Sequence, residues 1–321
     1  MRPLPVRRQG DGNAGRPRRS DRASGPRPPA AGGAELSGLR LGIFDSGLGG
    51  LSVARAVLER CPSASIIYFA DTAHVPYGDR PLEEVRSFAL EITGFLASQG
   101  AGAVLMACNM SSACALEEAR KVYPGLPVSG VVQAGARAAV GEGADAIAVL
   151  ATAGTVASGG YVRAVHAIAP DVRVEQVACP EFVPLIEAGD LDGPRVERAA
   201  AAYLGQALDS GARVVILGCT HYPFLLPVLR RLAPPETVFV DPAEEAALEA
   251  LRNAGDGLDV QTPSRFILSA PSATFRPVGS RFLGRILPAL ELAEWTAEGG
   301  RLRLMMTGAD AALCDAAPGE V

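Results

Sequence analysis

The chain has 321 residues, of which 48% are hydrophobic, and this is enough for one large or two ordinary domains with real cores. No run of 18 apolar residues occurs, so the sequence predicts no membrane span. Residues 1–38 carry eight arginines against three acidic residues, a local charge of +5. Since the whole chain is −5, the remainder carries −10, and an acidic body excludes the basic surface that nucleic-acid binding needs.

The first 38 residues are also rich in proline and glycine and contain almost no large apolar side chains. Such a segment buries too little surface to offset its ordering entropy, so residues 1–38 are predicted to form a disordered tail. It lacks the apolar stretch of a secretory signal. A solvated tail or an over-extended gene start is favoured over a nucleic-acid-binding arm. A frayed end is predicted at 308–321.

Three residue types exclude common cofactor chemistries. Lys121 is the only lysine and lies at a helix-end-and-turn sequence, which argues against a pyridoxal-phosphate site. The three histidines show no metal-ligand spacing. The six cysteines form no CxxC pair and no disulfide framework, which favours a reducing cytoplasm. The sequence therefore predicts an enzyme or binding protein without cofactor or metal.

From residue 40 onward, strand-like and helix-like segments alternate. Short strand-like segments at 41–44, 65–69, 104–107, 146–150, 172–177 and 213–217 are separated by helical patterns, including 82–98, 112–122 and 155–168. This rhythm is typical of parallel sheets flanked by helices, so the predicted fold class is α/β.

Two cysteines lie in nearly identical surroundings. Cys108 and Cys219 each follow an apolar run, after a small residue and before a polar residue that can open a helix. Both thiols are therefore predicted at the carboxyl ends of parallel strands, where open α/β sheets bind ligands. The positive end of a following helix favours the thiolate. Two such thiols across one cleft make a two-base proton-transfer site.

The spacing around these cysteines indicates an internal duplication. A strand ending at Asp45 precedes Cys108, and a strand ending at Thr152 stands at a similar distance before Cys219. We expect two similar α/β domains related by a pseudo-twofold axis, with the active site in the cleft between them. The strand at 237–240, followed by Asp-Pro, marks a crossover. The predicted domains are 39–131 plus 242–307, and 132–241.

The glycine-rich loop after the first strand spans 44–52 and does not match a nucleotide-binding fingerprint. Its glycines allow the backbone to approach a small anionic ligand. Asp45 can hydrogen-bond a neighbouring catalytic thiol or simply cap the turn; both interpretations stay open. The Pro-Tyr-Gly turn at 76–78 follows the second strand and is predicted to wall the pocket.

Three other cysteines and one histidine are further candidate residues. Cys179 is followed by proline and has no acid or histidine beside it, so we interpret it as structural. Cys61 and Cys114 are interpreted as helix-end and packing residues. His221, two residues after Cys219, is predicted to assist that thiol or bind a ligand; helix capping is the alternative.

Together these segments resemble the glutamate racemase family, the cofactor-independent aspartate/glutamate racemases. The resemblance covers about 40–306 in order and includes the cysteine motifs, the glycine loop, Pro-Tyr-Gly, 151–156, Tyr161 and 179–185. It implies that Cys108 and Cys219 are the acid/base residues, aided by Asp45 and His221. It also implies a substrate pocket made by Ser46, Pro76, Tyr77, Gly78, Asn109, Met110, Thr152 and Thr220.

One position departs from the family pattern. The family usually has Cys-Asn-Thr at the first cysteine, whereas this chain has Met110 in place of the threonine. A hydroxyl on Ser111 or Ser112 is the expected compensation.

The resemblance implies interconversion of L- and D-glutamate to supply D-glutamate for peptidoglycan. A racemase for aspartate or another amino acid stays open because of Met110. A non-catalytic binding protein that uses the basic tail is the alternative from another class. We expect a small amino-acid substrate, a homodimer, a cytoplasmic location, and neither membrane nor nucleic-acid binding.

Overall fold

The computed structural model describes residues 40–255, 258, 262–296 and 300–305. The predicted tail 1–38 and the predicted frayed end 308–321 lie outside the described residues. Within these ranges, no helix is long and apolar enough to cross a membrane. The same ranges contain no group of three or more acidic, histidine or cysteine side chains that could hold a metal ion.

The first part of the chain builds four parallel strands and four helices. These are β1 (Arg40–Asp45), α1 (Leu51–Arg60), β2 (Ile66–Ala70), α2 (Leu82–Ser98), β3 (Ala101–Met106), α3 (Asn109–Val122), β4 (Val128–Gly130) and α4 (Val131–Gly141). β1 lies between β2 and β3, and β4 pairs with β3. All five residues of β2 are buried, as expected for a parallel strand covered on both faces.

The next part builds a separate four-stranded sheet. Its elements are β5 (Ala146–Ala151), α5 (Ala153–Ser158), α6 (Gly160–His166), β6 (Arg173–Ala178), α7 (Phe182–Glu187), α8 (Pro194–Asp209), β7 (Val214–Gly218), a 3-10 helix (Tyr222–Leu225), α9 (Leu226–Leu232) and β8 (Val238–Val240). The strand order is β6-β5-β7-β8, and all three pairings are parallel. This order repeats β2-β1-β3-β4 of the first sheet, as the duplication predicts.

After β8 the chain returns to the first sheet. It forms α10 (Pro242–Ala254), β9 (Arg265–Leu268), α11 (Phe275–Leu283), β10 (Leu290–Trp295) and β11 (Leu302–Leu304). β9 pairs with β2, β10 with β9, and β11 adds an antiparallel edge. The protein is thus α/β with two parallel-sheet domains, but their sheets differ in size, with seven and four strands.

The single helix predicted over 155–168 is wrong. Gly159 adopts φ +61°, a left-handed conformation that ends α5, and α6 begins at Gly160. Glycine populates this conformation without the steric penalty that a side chain would impose. The break turns the second helix so that Tyr161 reaches the first domain, as described below.

Candidate active site

A cavity of about 450 Å³ lies where the carboxyl ends of both sheets meet. β1 and β3 end at it from the first domain, and β5 and β7 end at it from the second. The structure places all twelve predicted site residues on its wall: Asp45, Ser46, Pro76, Tyr77, Gly78, Cys108, Asn109, Met110, Thr152, Cys219, Thr220 and His221.

Cys108 follows β3 and is the N-cap residue of α3, with its side chain almost fully buried. Burial, reinforced by the charge of Asp45 and of Cys219, raises the pKa of its thiol to about 12. The backbone amide and the hydroxyl of Ser111 oppose this and lower the pKa. Cys108 is therefore a protonated thiol at neutral pH.

Cys219 follows β7 from the second domain and is also buried. Gly218 before it lies against β5: a Cβ at this position would stand 2.9 Å from the Leu150 carbonyl oxygen. The small residue that marked both cysteine motifs is thus required here by close strand packing.

His221 lies beside Cys219, with Nδ1 at 3.8 Å from Sγ. Burial alone lowers the pKa of its imidazole, but the contacts with Cys219 and Glu187 and the negative charges of Cys219 and Asp45 raise it to about 10. His221 is consequently an imidazolium at neutral pH. A positive charge at this distance favours a thiolate partner.

Glu187, at the end of α7, is a site residue that the sequence did not reveal. Its Oε1 lies 3.4 Å from Nε2 of His221, an ion-pair distance, although the two groups are not aligned as a hydrogen bond. It also lines the cavity. Nothing in the spacing of Glu187 relative to the cysteines marks it, because the contact depends on how α7 packs against the 3-10 helix that follows His221.

Asp45 is fully buried and accepts a hydrogen bond from the Gly47 amide at 3.1 Å. Burial raises the pKa of its carboxyl, while the charge of His221 and the amides of Gly50, Gly47 and Ser46 oppose this. Among the described residues, no hydrogen bond joins Asp45 to a thiol. Of the two open interpretations, turn capping is the one that the hydrogen bonds support, and Asp45 acts on Cys108 through its charge.

Asn109, the first residue of α3, is joined to the second domain by a hydrogen bond. The Tyr161 hydroxyl donates to Asn109 Oδ1 at 2.6 Å, and both side chains are buried. Because the amide oxygen is occupied, Asn109 presents its N–H groups to the cavity. Thr152 lies opposite, with its hydroxyl 3.0 Å from that of Thr155.

The Pro-Tyr-Gly turn lies at the cavity as predicted, but the Tyr77 hydroxyl is not free for a ligand. It donates to Asp71 Oδ2 at 2.5 Å. The opposite oxygen, Asp71 Oδ1, accepts hydrogen bonds from Ser269 and Trp295 at 2.7 and 2.8 Å. Tyr77 therefore positions the turn, and the wall offered to a ligand is its ring and backbone.

Met110 is buried beside Cys108, and its sulfur packs over Gly154, where an added Cβ would approach it to 2.7 Å. Ser111 and Ser112 were expected to replace the hydroxyl that Met110 lacks, but the Ser112 hydroxyl is hydrogen-bonded to other residues. It donates to Gln133 and accepts from the Val132 amide at 3.1 Å. The Ser111 hydroxyl is buried and makes no hydrogen bond to a described residue.

Cys179 also reaches the cavity wall, but its thiol donates to the Val177 carbonyl at 3.4 Å. Burial raises the pKa of this thiol well above its usual range. Within the described residues, no hydrogen bond joins the Cys179 thiol to an acidic side chain or a histidine. This agrees with the interpretation of Cys179 as a structural residue.

A family model described as Asp/Glu/Hydantoin racemase matches residues 50–250, the region that holds both cysteine motifs. The chain belongs to this family. A glutamate racemase of Desulforudis audaxviator is 44% identical over 76% of this chain and 94% of its own length. A glutamate racemase of Trichormus variabilis is 40% identical over 80% of this chain and 88% of its own length.

Solved structures of the same family share the fold. A glutamate racemase from Francisella tularensis, in complex with D-glutamate, is 32% identical and superposes with a TM-score of 0.74, covering 80% of this chain and 98% of that one. A glutamate racemase from Thermus thermophilus, in complex with β-chloro-D-alanine, is 37% identical and superposes with a TM-score of 0.71. The match covers 82% of this chain and 98% of that one. The chain thus shares the fold of these racemases.

Proposed function

We propose that this protein interconverts L- and D-glutamate by two-base proton transfer between Cys108 and Cys219, without a cofactor. The observation that carries the proposal is the placement of these thiols. Each follows a central strand of a different domain, and both line one cavity. A thiol from each side gives access to both faces of one substrate carbon, which is the requirement for inversion.

In one direction of the proposed reaction Cys219, next to the imidazolium of His221, acts as the base in its thiolate form, and Cys108, whose buried thiol has a raised pKa, acts as the acid. The thiolate takes the Cα proton from one face, and the electron pair is delocalised into the substrate carboxylate. The opposing thiol then delivers its proton to the other face. The two cysteines end with exchanged protonation states. Placed acid/base groups of this kind typically contribute about 10²–10⁴-fold to a rate.

The remainder of the rate enhancement must come from stabilising the carbanion. The N-termini of α3 and α5 face the cavity through Asn109 and Thr152, and helix N-termini attract carboxylates. The Asn109 N–H groups, held by Tyr161, add a neutral donor. Preorganised donors in a site closed to water stabilise developing negative charge more than water does.

Glutamate is the substrate favoured by the relatives, which are named glutamate racemases at 40–44% identity. Aspartate is the second candidate, because Met110 replaces a side chain that the family uses to hold polar groups. The test is the loss of optical rotation of L-glutamate, measured beside L-aspartate with no cofactor added. We expect rotation to fall to zero with L-glutamate and to persist with L-aspartate. Persistence with both would refute racemase activity.

The cellular setting is also part of this proposal. A cytoplasmic location is supported by five free cysteines among the described residues. D-glutamate formed there would enter peptidoglycan synthesis. A homodimer is proposed from the family resemblance alone, and light scattering of the purified protein tests it: the mass of a single chain would contradict it.

A further inference from the structure

Ser111 carries a buried hydroxyl without an acceptor. The side chain is fully buried, and its Oγ makes no hydrogen bond to any residue that the structure describes. Buried polar groups in folded proteins are usually hydrogen-bonded, so an unpartnered hydroxyl calls for a specific explanation. Ser111 stands in the first turn of α3, three residues after Cys108.

The helix geometry connects Ser111 to the Cys108 sulfur. The Ser112 amide donates to the Cys108 carbonyl at 2.9 Å, which makes Cys108 the N-cap and Ser111 the third helical residue. The side chain of an N-cap residue faces the amide of that third residue. The Ser111 amide is therefore on the side of the Cys108 side chain, and this amide and the Ser111 hydroxyl both act on the pKa of Cys108 as hydrogen-bond donors.

The other polar groups around Cys108 disfavour a thiolate. Asp45 and Cys219 act on it with negative charge. Tyr68 and Tyr77 also interact with it electrostatically, but their hydroxyls donate elsewhere, to the Gly47 carbonyl and to Asp71. Met110 has no hydroxyl. Among these neighbours, Ser111 alone has a side-chain donor available.

We propose that Ser111 is a positioning residue for the proposed racemase reaction, whose hydroxyl donates a hydrogen bond to the Cys108 sulfur when this becomes a thiolate. While Cys108 is protonated, the Ser111 hydroxyl has no hydrogen-bond partner among the described residues. The hydrogen bond forms only when Cys108 becomes the thiolate that the proposed reaction requires. The backbone amide of Ser111 adds a second donor. Both donors lower the pKa of Cys108.

The inference rests on the proposed function, but its test does not. The alkylation rate of Cys108 by iodoacetamide is measured between pH 7 and 9.5 in the full chain, with the Cys108 peptide quantified by mass spectrometry. Below its pKa the logarithm of the rate rises linearly with pH. Ser111→Ala is expected to lower the alkylation rate of Cys108 about threefold at every pH in this range. A roughly tenfold loss of thiolate is partly offset, because a more basic thiolate is a better nucleophile.

Ser112→Ala is the matched control, since it removes the adjacent hydroxyl, which bonds Gln133 and the Val132 amide. We expect Ser112→Ala to lower the melting temperature without changing the alkylation rate of Cys108. Ser111→Ala should keep the melting temperature of the wild type. Unchanged alkylation in Ser111→Ala would overturn the inference, and so would an equal fall in both variants. Racemisation by the wild type is measured separately, so a failure of the proposed function is recognised independently.

Discussion

The Tyr161 hydroxyl of α6 donates a 2.6 Å hydrogen bond to Oδ1 of Asn109 at the start of α3, and thus joins the second domain to a cavity-lining residue of the first. This bond fixes the amide of Asn109 with its N–H groups toward the cavity. The orientation of a first-domain donor therefore depends on the second domain.

Tyr161→Phe is expected to raise KM for glutamate about five- to tenfold with a smaller change in kcat, since one hydrogen bond is worth about 1 kcal/mol and its loss frees the amide to rotate. Steady-state kinetics with both enantiomers measures this. Tyr222→Phe is the matched control: Tyr222 is equally buried, but its hydroxyl donates to the Cys179 carbonyl. Equal KM changes in the two variants would show that Tyr161 acts only through stability.

Serine in place of either cysteine keeps size and hydrogen bonding but replaces the thiol by a far weaker acid. Cys108→Ser and Cys219→Ser should lose racemisation yet still eliminate HX from a substrate analogue with a leaving group on the β-carbon, because elimination needs one base only. Each variant should act on one enantiomer, and the two on opposite ones. Elimination from the same enantiomer by both variants would contradict a base on each face.

The raised pKa of His221 has a consequence for stability. A histidine whose folded-state pKa is about 10 contributes stability that is fully present below its ordinary value near 6.5 and is lost as pH rises through about 10. The free energy of unfolding, from urea titrations at several pH values, should therefore fall between pH 6.5 and 10. His221→Gln should flatten this fall. The same slope in wild type and His221→Gln would show that the imidazole is not the group responsible.

The N-terminal segment is predicted to be dispensable, because its arginine, proline and glycine content offers no core. A chain that begins at Leu39 should keep the melting temperature and turnover of the full chain. Calorimetry and kinetics of the two proteins check this, and a substantial loss in either would show that the segment docks.

The sequence predicted the α/β class and the strand ends because these depend on local patterns, whereas the substrate-pocket residues were predicted from the resemblance to the racemase family. A buried parallel strand is an apolar run, and its carboxyl end is recognisable from the residue that opens the next helix. The repeated spacing of Cys108 and Cys219 then predicted two sheets, and their common strand order agrees with it.

What could not be predicted are contacts between distant segments. Asp71 receives hydrogen bonds from Ser269 and Trp295, which lie 198 and 224 positions further along the chain. Glu187 approaches His221 because α7 packs against the 3-10 helix that follows His221. No spacing rule marks such residues, since they depend on how the elements pack. The break at Gly159 was missed because a glycine within a helical pattern is often tolerated.

The central claim is that one thiol serves each face of the substrate. Its most direct test is the racemisation of L-glutamate, followed by optical rotation, in the wild type and in the Cys108→Ala, Cys219→Ala and Cys179→Ala variants. The account predicts a loss of at least about 10²-fold in each of the first two variants, with melting temperatures preserved, and activity retained in the third. Full racemase activity in either Cys108→Ala or Cys219→Ala would contradict the two-base mechanism.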